Sequence, residues 1–255
     1  MDPRPRKGPW TEPSTYGPAV SVRSATKNYD KVRALQGIDL DVGRGELYGL
    51  IGPNGAGKST LMKALVGSVE LDDGSVRVLG MNPRSDKLSI KAQTGYVPES
   101  EFPPSFLKVR EFLDFVMHVR GLVPDGRSSD RWICFFDLED QTDTIARNLS
   151  KGTRQKLMLS SAFIHEPKLL LLDEPFINLD PIFQRKVKDH LLDHVREGGT
   201  VLISTHMLSL AEELCSKVCI INRGKVLANG PTKDIIKEHG DLEEAFLRMV
   251  GYYSR

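Results

Sequence analysis

Nine consecutive residues, Gly52, Pro53, Asn54, Gly55, Ala56, Gly57, Lys58, Ser59 and Thr60, combine glycines, a lysine and hydroxyls at a spacing that suits phosphate chemistry. They follow an apolar β-like run, Glu46 to Ile51, and open a helix-like run, Leu61 to Val66. That strand, loop and helix order matches a phosphate-binding loop. Its glycines let backbone N–H groups turn inward around a phosphate chain, and the helix behind points its positive N-terminal end at the same place. Lys58 adds a full charge near the β and γ oxygens. Ser59 is expected to ligate Mg²⁺ through its hydroxyl.

A second run, Lys168 to Leu172, ends in the acidic pair Asp173-Glu174, where a parallel strand of an open α/β sheet delivers its ligands. Asp173 is the expected Mg²⁺ partner. Glu174 is placed to take a proton from an attacking water. Gly199 to His206 reads as another short buried strand, and its terminal His206, one strand and one helix after Glu174, is a candidate γ-phosphate sensor. Between these lies Asn148 to Lys156, where Ser150 can N-cap a helix running to about Ile164 and present an anion-binding end.

The ordered set resembles the nucleotide-binding ATPase of ABC transporters. Leu149-Ser150-Lys151-Gly152 stands where that family has its signature, usually LSGGQ, and Leu169 to Glu174 resembles Walker B. Asn178-Leu179-Asp180 corresponds to the D-loop and His206 to the switch histidine. Tyr29, which the reading puts in a loop ahead of the first strand pair, sits where family members stack an aromatic ring on adenine. The resemblance implies ATP and Mg²⁺ as cofactors, with Lys58, Glu174 and His206 in catalysis. It also implies a second ATPase chain docked head to tail, whose nucleotide is completed by Ser150 and Gly152 of this one.

Three departures bear on that expectation. Glu99 replaces the usual Q-loop glutamine in Thr94 to Glu99, and its carboxylate can still reach Mg²⁺ or hold a water. The signature has Lys151 for the first glycine and Thr153 for the glutamine, but keeps Ser150 and Gly152, whose hydroxyl and N–H make the expected phosphate contacts. Phe176-Ile177 replaces small residues, and we have no physical account of that exchange.

The resemblance implies a RecA-like parallel sheet with an antiparallel β part and an α-helical subdomain, that is, an α/β P-loop fold, to position these groups. Strands are expected at Val20–Ser24, Ile38–Val42, Leu47–Ile51, Val76–Leu79, Val218–Ile221 and Lys225–Leu227, besides those ending at Asp173 and His206. Val109 to Val119 has apolar residues at 112, 113, 116 and 119, a helical period. The domain is expected over residues 19–240, with the helical part at about 100–165. Asp241 onward reads as an amphipathic closing helix, apolar at 242, 246, 249 and 250. Residues 1–18, with five prolines, lack the apolar core of a signal peptide and read as a disordered tail.

With 255 residues and 40% hydrophobic content, the chain can bury a full core in one α/β unit with a helical insertion. Its 35 basic and 34 acidic residues point to no nucleic acid or anionic lipid. No apolar run approaches the ~20 residues that span a bilayer. If the chain serves a transporter, as the resemblance implies, the pore is expected in another chain, a polytopic permease, with this one peripheral on the cytoplasmic face of the membrane. Cys134, Cys215 and Cys219 form no zinc or disulfide spacing and read as small buried apolar residues in a reducing compartment. His190 and His194 share a helix face, but Asp189 and Asp193 flank them and a solvated face is expected. The motifs and the chain's ending look like the subgroup serving drug, antibiotic, lipid and polysaccharide exporters. An ABC-type ATPase without a transport role is the alternative. No Asn-Lys-x-Asp motif speaks for guanine.

Overall fold

Strands that are apolar at every position, rather than at alternate ones, must be covered on both faces. The computed structural model describes residues 17–100, 103–123 and 127–252, so most of the expected tail lies outside the described residues. Within them the order is β1 (Val20–Tyr29), β2 (Val32–Val42), β3 (Leu47–Ile51), α1 (Lys58–Leu65), β4 (Asp73–Val78), α2 (Lys87–Gln93) and β5 (Thr94–Val97). Then follow α3 (Val109–Val119), α4 (Arg127–Phe135), α5 (Lys151–Phe163), β6 (Leu169–Asp173), α6 (Pro181–Arg196), β7 (Thr200–Thr205) and α7 (Leu208–Leu214). The chain closes with β8 (Lys217–Asn222), β9 (Lys225–Pro231), α8 (Thr232–His239) and α9 (Leu242–Met249).

The large sheet runs β5-β6-β7-β3-β8-β9, parallel except for β9 at its edge. Every residue of β3, β6 and β7 is buried. Their side chains alternate between two cores, as the period of two requires. Leu169, Leu171, Leu202, Tyr48 and Leu50 face α1 and the small antiparallel sheet β2-β1-β4. Leu170, Leu172, Val201, Ile203 and Ile51 face α5, α6, α7 and α9. Each buried leucine of β6 contributes roughly 1.5–3 kcal/mol by leaving water.

The helical part between β5 and β6 is bolted to the sheet at one point in particular. Arg120, just past α3, donates through Nη1 to Lys91 O and to Thr94 O (3.2 Å), and lies 2.8 Å from His165 Nε2. Burial, with the Arg120 charge adding to it, pushes the His165 imidazole down to about 4, so the ring is neutral and accepts.

Several expectations are corrected. The first strand pair is longer than the apolar runs suggest: β1 continues through a bulge, with Ser24 at φ 47° and its N–H donating to Asp39 Oδ1, as far as Tyr29. Tyr29 therefore closes a strand and pairs with Val32, and is not in a loop. Within α3 the buried face is Val109, Phe112, Leu113 and Met117; Val119, at the helix end, is 68% exposed. Cys134 is exposed, not buried, whereas Cys215 and Cys219 are buried and burial raises both thiols. His190 is not on a solvated face. Its ring packs 5.0 Å from that of Trp132, 5.8 Å from Phe135 and 4.7 Å from Phe163, bridging α6 to α4 and α5, and burial lowers its pKa to about 3. The flanking aspartates mislead because α4 covers this face of α6.

Candidate functional site

The parallel register decides which groups meet. Ile51 at the end of β3 lies opposite Thr205, and Asp173 at the end of β6 lies opposite Ser204. The phosphate loop, the acidic pair and His206 therefore all emerge at the carboxyl edge of the sheet.

The loop is held tightly from behind. A Cβ at Gly52 would stand 2.1 Å from Ile221 O, and one at Gly57, whose φ is +110°, would stand 2.3 Å from Ala34 O. No side chain fits at either position. Gly224 N donates to Ala56 O (2.8 Å), fastening the loop to the β8–β9 turn. Gly57 is the N-cap of α1 and supplies no side-chain cap, and the first turn carries no acidic residue. The opening amides of α1 are thus left for an anion.

Lys58 is 6% exposed; its Nζ lies 2.7 Å from Gly52 O, 3.3 Å from Pro53 O and 3.7 Å from Glu174 Oε1. Glu174 is 4% exposed and adopts φ 52°, a left-handed backbone that costs a non-glycine residue roughly 1–3 kcal/mol. Its Oε1 is 2.8 Å from His206 Nδ1, its Oε2 accepts from Thr205 Oγ1 (3.1 Å), and its N–H donates to Ser204 O (3.0 Å). Each charge of this buried pair has further polar partners, which burial of an ion pair demands.

Asp173 is buried beside it. Its Oδ1 accepts from Ser204 Oγ, while Oδ2 is buried without a hydrogen-bond partner. Burial raises its pKa, the Ser204 and Ser59 hydroxyls oppose the rise, and the carboxylates of Glu99 and Glu174 add to it. Ser59 Oγ donates to Glu99 Oε2 at 3.1 Å. A hydroxyl and two carboxylates, one with an orphaned buried oxygen, are the hard oxygen donors that suit Mg²⁺.

Other predicted residues stand apart from this cluster. Ser150 caps α5, its Oγ accepting from Thr153 N at 3.1 Å, and is exposed. Gly152 lies against the loop after β6, since a Cβ there would be 2.7 Å from Asn178 O. Tyr29 is 43% exposed at the tip of the β1–β2 hairpin, with Lys27 Nζ 5.6 Å from its ring centre. That hairpin reaches the phosphate loop through Ala34. Three residues that the sequence reading missed hold the cluster in shape: Ser204 on Asp173, Thr205 on Glu174, and Gln155, whose Nε2 donates to Pro175 O (3.0 Å). Ser204 and Thr205 were signalled by their place before His206 on the strand that pairs with β6.

A glycine-rich loop between a parallel strand and a helix, facing an acidic strand end, defines a P-loop nucleoside triphosphatase. The ABC transporter family profile matches residues 35–177. The uncharacterized ABC transporter ATP-binding protein YhaQ of Bacillus subtilis is 32% identical over 87% of this chain and 74% of its own length. The daunorubicin resistance ATP-binding protein DrrA3 of Streptomyces coeruleorubidus is 33% identical over 91% of this chain and 75% of its own. A solved ATP-binding subunit of an ABC transporter superposes with a TM-score of 0.84 at 30% identity, covering 91% of this chain and 99% of that one. The chain belongs to the ABC transporter family, among its ATP-binding proteins.

Proposed function

We propose that this chain is the Mg²⁺-dependent ATPase subunit of an exporter, working as a head-to-tail pair on a separately encoded polytopic permease at the cytoplasmic face of the membrane. The observation that carries the reading is the convergence of Lys58, Glu174 and His206 on the edge where the phosphate loop opens. The amides of Gly52 to Thr60 cradle the phosphates, and Lys58 moves its charge from Glu174 and the loop carbonyls to the β and γ oxygens. Ser59, Asp173 and Glu99 would hold Mg²⁺, which when bound supplies positive charge where the transferred phosphoryl develops its negative charge. Glu174, freed from Lys58 and oriented by Thr205, takes the proton of the attacking water. His206 holds Glu174 at one nitrogen and senses the γ-phosphate. Ser150 and Gly152, exposed at the start of α5, complete the nucleotide site of the second chain.

The exporter half of the reading is supported by the drug-resistance relative and by a surface. In and beside α3, Phe106, Phe115, Val119 and Val123 are 74%, 52%, 68% and 82% exposed, large apolar side chains that a membrane partner could cover. Among the described residues no helix is long and apolar enough to cross a membrane. The test is purification from detergent-solubilised membranes of the native host. A polytopic protein should accompany the chain and the preparation should hydrolyse ATP in preference to GTP; an ATPase recovered without such a companion would favour a role outside transport.

Tyr29 offers a separate check on the adenine end of the site. If its ring stacks on the base, Tyr29→Ala weakens ATP binding by roughly 1 kcal/mol, about five- to tenfold, and Tyr29→Trp preserves it. Equal affinity of Tyr29→Ala and wild type, measured by titration with a fluorescent ATP analogue, would place the base elsewhere.

A further inference from the structure

Glu99 stands where the family resemblance expects a neutral amide, and the structure puts its charge against the cation position. It follows β5, whose Val97 lies opposite Leu172 of β6, so Glu99 emerges beside Asp173 at the carboxyl edge. Its Oε2 accepts from Ser59 Oγ at 3.1 Å, next to Lys58 in the first turn of α1. Asp173, 1% exposed, has its Oδ2 buried there without a hydrogen-bond partner. Among the described residues no three His, Cys, Asp or Glu side chains gather to hold a cation by themselves. The remaining positions around a cation on Ser59, Asp173 and Glu99 therefore fall to phosphate oxygens and water.

We propose that Glu99 makes nucleotide binding conditional on the divalent cation. With the cation present, the Glu99 carboxylate is a ligand that neutralises charge. Without it, the same carboxylate faces the triphosphate with charge of the same sign, in a site where the loop amides and Lys58 are the balancing groups. A glutamine could still offer its amide oxygen, but it would neither neutralise the cation's charge nor repel the triphosphate. The coupling is reciprocal, so nucleotide must raise affinity for the cation by the same factor by which the cation raises affinity for nucleotide.

This inference rests on the ATPase reading, and the experiment separates the two. A fluorescent ATP analogue is titrated into the full chain in Mg²⁺ and in EDTA, and the ratio of the two Kd values is compared between wild type and Glu99→Gln. Glu99 is exposed, so the exchange leaves the core intact. The ratio should fall at least about tenfold in Glu99→Gln, through tighter binding in EDTA together with weaker binding in Mg²⁺. Glu99→Asp should keep most of the wild-type ratio. Mn²⁺ binding in the presence of ADP, followed by electron paramagnetic resonance, should weaken in Glu99→Gln and persist in Glu99→Asp. An unchanged ratio, or an equal loss of affinity in both media, overturns the inference while leaving the ATPase reading in place. Failure of wild type to bind nucleotide in either medium overturns both.

Discussion

Glu174→Gln is expected to bind ATP about as well as wild type and to turn it over about 10²- to 10⁴-fold more slowly, the range typical of losing a positioned general base. The amide keeps the size of the carboxylate and can still accept from Thr205 Oγ1, so the buried site survives. It cannot take the proton of water. It also lacks the charge that holds Lys58 at 3.7 Å, which leaves the lysine free for phosphate. Binding should therefore persist while hydrolysis stalls, and a dimer that wild type forms only transiently should accumulate in Mg²⁺ and ATP. Size-exclusion chromatography and single-turnover assays read both effects. Turnover at the wild-type rate in this variant would remove Glu174 from the role of base. Glu174→Ala is the poorer choice, because it also removes the acceptor of Thr205 Oγ1 and empties a buried position.

Two inactive variants should restore each other when mixed. Lys58→Ala disables the phosphate loop of its own chain. Ser150→Arg sets bulk and charge at the exposed start of α5, against the γ-phosphate of the partner's nucleotide. In either homodimer both composite sites carry a lesion. In a mixed dimer one site receives both lesions, and the other joins the intact loop of the Ser150→Arg chain to the intact α5 start of the Lys58→Ala chain. Subunit exchange should then yield ATP-dependent dimers and partial ATPase activity from two dead proteins, provided one site suffices for turnover. Dimers without activity would mean that the sites must act together. If wild type dimerises on ATP and the mixture does not, Ser150 is not shared between chains. Melting curves guard the comparison, since removing Lys58 leaves Glu174 buried without its cation.

The groups proposed to touch phosphate were legible because their chemistry constrains residue type and spacing together: only glycine fits at 52 and 57, and Ser150 caps its helix as read. The parallel strands β3, β6, β7 and β8 were legible because each carries a largely apolar run, whereas the parallel strand β5, Thr-Gly-Tyr-Val, is too short and mixed to be read as one. What the sequence hid was set by packing across long separations. Nothing local announces that α4 covers His190, or that Ser204 will stand opposite Asp173 and Thr205 reach Glu174. The extension of β1 to Tyr29 was hidden by its polar, bulged course, which breaks the alternation that marks a strand. The α8 helix over Thr232–His239, which the sequence reading did not identify, follows directly on the edge strand β9.

The contact between Gly152 and the Asn178 carbonyl leaves no slack between the start of α5 and the loop after β6, which Gln155 grips again at Pro175. In a head-to-tail pair the first of these segments serves the neighbour's nucleotide and the second follows this chain's own Glu174. The two are meshed like gear teeth. If the proposed pair forms, a displacement of α5 by the nucleotide in one pocket would press on the loop that follows the base of the other, and each chain would carry its own mechanical link between the two pockets.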